Sequence, residues 1–164
     1  MDRERIATAR TNAFSVVVTI GLIAGTLDIT DSLVFNHFRG ITPTMVFQYI
    51  ATGLIGMRAV DLGLASVALG VVLHYTIALT WTAIFYAASH KLAILTRRPV
   101  ISGLLYGAFV YVVMNFIVLP LSRVPHVHAT ATLAARINAV LALLLCIGLA
   151  ISLLTRNFAP TSRT

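Results

Sequence analysis

The chain has 164 residues, of which 59% are apolar and only 10% are Asp, Glu, Lys or Arg, and its mean hydropathy is +0.93. A soluble globule of this length has too little interior to hide so much apolar surface, and hydrophobicity this high also excludes disorder. The single cysteine, Cys146, excludes a disulfide framework, and the net charge of +7 calls for no nucleic-acid partner, because membrane proteins gather Lys and Arg on cytoplasmic loops.

A helix that crosses the bilayer needs roughly 20 apolar residues at about 1.5 Å each. The first such run follows Arg3, Arg5 and Arg10 and covers about residues 13–36, interrupted only by Asp28 and Asp31. No small-residue cleavage site leads from it into a polar mature region, so it reads as an uncleaved anchor. A second, doubtful run follows over about residues 43–57. It opens on Thr42-Pro43, an N-cap followed by proline at the first helical position, and it places Thr44, Gln48 and Thr52 on one face at i, i+4 spacing. That pattern is amphipathic and short. The remaining runs, about 62–89, 99–120 and 132–155, are each long enough to cross.

Orientation decides whether the chain has four spans or five. With four, the N-terminus, the loop from His90 to Arg98 and the C-terminal tail share one side and hold 8 of the 12 basic residues. A fifth crossing would level that bias and leave the positive-inside rule nothing to act on. The expectation is therefore an all-α polytopic protein, a single membrane domain over residues 1–164. It has four transmembrane helices, both termini cytoplasmic, and an interfacial or re-entrant helix on the outer side. Small residues at helical spacing (Gly21 and Gly25, Gly63 and Gly70, Gly103 and Gly107, and the stripe Ala135, Ala139, Ala142, Cys146, Ala150) predict close helix packing. The same faces predict a small homo-oligomer.

This topology brings the intramembrane polar groups to comparable depth. Asp28 falls just past mid-membrane and Asp31 one turn nearer the outside; His74 lies near the middle, Asn115 in the outer half, and Arg136 and Asn138 near the outer boundary. An aspartate at membrane depth costs roughly 2.5–3.5 kcal/mol on insertion scales, so both should face the bundle interior and find partners. Side by side at i, i+3 the two carboxylates do not both stay ionised without a cation. The candidate site is thus Asp28, Asp31, His74, Asn115 and Arg136, with Gln48 from the outer helix, binding or permeating a small solute, a proton or a lipid. The competing reading is a non-catalytic scaffold or accessory subunit whose polar groups only lock the helices, with Asp31 paired to Arg136, Asp28 bonded to Asn115, a tyrosine or the backbone, and His74 bonded to a carbonyl.

Three histidines near the outer side give a weaker signal. His126 and His128 alternate as a His-x-His metal site requires, and His37 lies in the other outer loop, although no carboxylate or thiolate completes the set. Trp81, Tyr75, Phe85 and Tyr86 read as packing and interface anchors, and no bound cofactor is expected. Phosphate-loop, zinc-protease and nucleophile-elbow signatures are absent from the sequence, so enzymatic activity has no support there.

Four short motifs, Gly-Leu-Ile-Ala-Gly (21–25), Leu-His-x-x-Ile-Ala around His74, Gly-Leu-Leu-Tyr-Gly (103–107) and Pro120-Leu-x-x-x-Pro125, resemble the YagU-like group of bacterial inner-membrane proteins, whose activity is not established. The resemblance implies four spans in a bacterial inner membrane and assigns no catalytic residue.

Overall fold

The computed structural model describes residues 2–125 and 132–158, with only the backbone path for residues 2–12. Its described regular structure is helical throughout. We label the helices α1 (Asp2–His37), α2 (Pro43–Ile55), α3 (Leu64–Ser89), α4 (Pro99–Leu121) and α5 (Leu133–Phe158). Single turns at Arg58–Asp61 and Ile94–Arg97 lie in the connections. The segment Ala13–His37 of α1, together with α3, α4 and α5, is long and apolar enough to cross a membrane. The outward surfaces are greasy as well: Leu105 and Phe116 on α4 are 67% and 72% exposed, as they must be where lipid is the solvent. The chain is a multi-pass integral membrane protein.

Local chemistry sets the helix ends. The Thr42 side chain accepts from the Met45 amide, Pro43 supplies the first helical φ, and Gly56 at φ 65° stops α2 where a side chain would be strained. Met57, expected inside that helix, instead opens the short Arg58 turn. Gly63, at φ 53°, delays the start of α3 to Leu64. In α4 the backbone widens into a π-helical stretch at Met114–Val118, just before Pro120. A proline there has no N–H for the Phe116 carbonyl and its ring crowds that group, so the extra residue per turn relieves the conflict.

Two glycine seams assemble the bundle. Along α1 and α3, Gly21 faces Leu79 and Thr82 while Gly25 faces Ala78 and Tyr75. Along α4 and α5, Gly103, Gly107 and Gly148 bring backbone against backbone, and Ser152 Oγ donates to the Pro99 carbonyl at 2.8 Å. α1 packs across to α5, whereas α3 and α4 stand further apart and meet through large rings. Trp81 and Phe85 lie edge-on to Tyr106, whose hydroxyl donates to the Trp81 carbonyl at 2.6 Å. The core, with Ile20, Ala24, Trp81, Phe85, Val110, Ile147 and Ile151, therefore draws on all four long helices. α2 runs against α3, with the backbone of Phe47 in contact range of Gly70, and reaches the end of α4, where the Arg123 amide donates to the Gly53 carbonyl at 3.0 Å.

Candidate functional site

The polar residues gather where α1, α3 and α5 meet, toward the α2 end of the bundle. Gly25 starts the arrangement: with no side chain there, α3 comes close enough for His74 Nε2 to reach the Gly25 carbonyl at 2.8 Å. A carbonyl can only accept, so Nε2 carries the proton. One residue further along each helix, Thr26 Oγ1 and the Tyr75 hydroxyl share a hydrogen bond at 3.0 Å. These contacts tie α1 to α3 on both sides of the glycine.

Asp31 is tied to the other neighbour. Asn138 Nδ2 donates to its Oδ2 at 2.8 Å, joining α5 to α1. The expected partner for Asp31 was Arg136, and helical geometry explains the difference. Two residues on a helix are separated by about 200°, so Arg136 and Asn138 cannot both face α1. Asn138 lies with Ala135 and Ala142 on the small-residue face that packs inward. Arg136 is exposed, in a shallow apolar depression beside Ile137, Val140 and Leu141. Directly after Ala142, α5 is π-helical over Leu143–Leu149, a widened stretch that includes Cys146.

Asp28 lies between these two ties. It is half-buried, with His74 and Asp31 as its titratable neighbours. Among the described residues no side chain donates a hydrogen bond to it, because His74 Nε2 is engaged with Gly25 and the Asn138 amide with Asp31. An intramembrane carboxylate in that condition has two ways to be accommodated, by a proton or by a cation.

Of the residues the sequence pointed to, Asp28, Asp31 and His74 come together. Asn115 turns back on its own helix and donates to the Tyr111 carbonyl at 2.9 Å. Gln48 lies in a separate groove on α2. His37 is exposed at the end of α1, edge-on to Phe38. His126 and His128 lie outside the described residues; within them, no group of three or more His, Cys, Asp or Glu side chains could hold a metal ion. The sequence reading missed Asn138 as the group that binds Asp31, although its place on the small-residue stripe of α5 was the available signal. Comparison of the chain with protein-family models, curated proteins and solved structures gives no match.

Proposed function

We propose that the chain is a small protein of a bacterial inner membrane, with both termini cytoplasmic, that binds a proton or small cation at Asp28 from the outer side. One observation carries this reading. Asp28 receives no hydrogen bond from the described residues, while both ionisable neighbours that act on it are already committed elsewhere. Ionisable groups at membrane depth are costly to keep and commonly mark ion or proton pathways. The bias of 8 of 12 basic residues toward the termini and the central loop supports the orientation, and the four short motifs support kinship with the YagU-like group. Both glycine seams are covered within the chain, so a homo-oligomer of this protein uses another surface, for which Ala139, the exposed member of the α5 stripe, is available.

A scaffold role has its own support, since His74 and Asp31 each fasten one helix to another. Asp28→Asn separates the two readings, because it keeps the shape and removes the charge. In proteoliposomes carrying an internal pH- or cation-sensitive dye, the site reading expects a wild-type response to an imposed gradient that Asp28→Asn abolishes. Identical traces from the two proteins would leave the scaffold reading standing. Orientation is tested in a Cys146→Ser background: an impermeant maleimide added to intact cells should label Arg58→Cys and spare Lys91→Cys, and the reverse pattern would invert the topology.

A further inference from the structure

A second feature lies apart from the acidic site, on the α2 side of the bundle. A groove of about 420 Å³ runs between α2, the turn after it and the loop that leaves α4. Its volume falls within the roughly 300–1,000 Å³ of sites that take small molecules. Met45, Met57, Val60 and Pro125 give it apolar walls, and Gln48 and Tyr49 give it polar ones. Neither the Gln48 amide nor the Tyr49 hydroxyl has a hydrogen-bond partner among the described residues, so both are free to meet a ligand. The groove is anchored on each wall: Phe47 seats on Gly70 of α3, and the Arg123 amide is held by the Gly53 carbonyl.

Charge on the segments that bound the groove selects the occupant. Arg58 follows Met57 directly and Arg123 stands two residues before Pro125, both exposed, and the one acid on these segments is the exposed Asp61. A greasy, methionine-lined trough, with an exposed cation on each of the two segments that bound it, lies beside the start of α3 and the end of α4, the ends that the proposed topology puts at the outer interface. There it is complementary to a molecule with an acyl chain and an anionic head. We propose that this groove binds one anionic phospholipid, its chain along Met45, Met57, Val60 and Pro125, its phosphate against Arg58 and Arg123, and its ester carbonyls within reach of Gln48 and Tyr49. The commitment is to membrane lipid rather than to a free anion, because four of the six named walls are apolar and a free phosphate would leave them in water.

The test uses the full chain in detergent, equilibrated with equal amounts of phosphatidylglycerol and phosphatidylcholine and read by native mass spectrometry. The expected result is one phosphatidylglycerol retained per monomer in preference to phosphatidylcholine. The preference should fall about thirtyfold in Arg58→Gln/Arg123→Gln, about fivefold for each basic group near a headgroup, and should survive in Arg39→Gln. All three arginines are exposed, so the variants keep the fold. Equal retention of both lipids, a double variant that retains phosphatidylglycerol like the wild type, or an equal loss in Arg39→Gln would overturn the proposal. So would displacement of the lipid by inorganic phosphate alone, which marks a bare anion site, or a dimer that carries no lipid, which marks the groove as a contact between copies.

Discussion

The two glycine seams look alike in sequence and behave differently in space. Gly21 and Gly25 on α1 repeat the spacing of Gly103 and Gly107 on α4, yet the first seam sets glycine against side chains and the second sets backbone against backbone. The first also carries His74 and Tyr75, with Asp28 one turn from Gly25, whereas the atoms nearest the glycines of the second belong to Leu143, Leu144, Leu149, Ser152 and the facing glycines. Small residues determine how near two helices come; what stands next to them determines whether the contact is only a seam or also a place for chemistry. In this protein the tighter seam fixes the frame, and the looser one leaves room for an acid.

The largest expected effect falls on the backbone seam. A methyl group at Gly148 would lie 2.5 Å from the Gly107 nitrogen and 2.7 Å from its Cα, and neither can move without shifting a helix. Gly148→Ala should therefore cost about 1–3 kcal/mol, the usual range for overpacking, measured by thermal or denaturant unfolding in detergent. Next comes Asn138→Leu, which leaves the Asp31 carboxylate half-buried without its donor. A loss of about 1.5 kcal/mol is expected, at the low end for hydrogen bonds to charged groups. On the looser seam the same methyl costs less: at Gly25 it would sit 3.0 Å from the Ala78 Cβ, which gives way only with a small shift of its own backbone, and 3.2 Å from the Tyr75 ring, which can rotate, so Gly25→Ala should cost about 1 kcal/mol, the lower end of the overpacking range. His74→Leu belongs with it, at about 0.6 kcal/mol, the average found for interhelical hydrogen bonds in a membrane protein. If Gly25→Ala proved as damaging as Gly148→Ala, the distinction between the seams would fail.

Much of this frame was legible from residues alone. The uncharged runs marked four crossings, and Thr42-Pro43 marked the start of the short helix, because both signals are local: length of apolar chain and a capping side chain; its end at Ile55, before Gly56, was placed two residues too late. The site was legible by depth and not by direction. Counting residues from the membrane boundary put Asp28, Asp31, His74, Asn115 and Arg136 at similar heights, but height says nothing of which way a side chain faces. Asn115 satisfies itself on the Tyr111 carbonyl and Arg136 points away from α1. The π-helical stretch of α5, which re-phases Cys146 and the residues after it, has no sequence signature comparable to Pro120 in α4. Partner choice at Asp31 therefore depended on helix rotation, which a face-by-face reading of α5 would have supplied.

Asp31 is committed to Asn138 and Asp28 to no side chain among the described residues, and the unfolding midpoint of Asp28→Asn in detergent near neutral pH reads the consequence of that difference. Replacing the Asp28 carboxyl with an amide of the same shape removes a desolvated charge and breaks no hydrogen bond to a described residue. The expected result is a midpoint equal to or above that of the wild type. A drop as large as that of Asn138→Leu would show that Asp28 is part of the lock, and would contradict the assignment of this residue as the binding group.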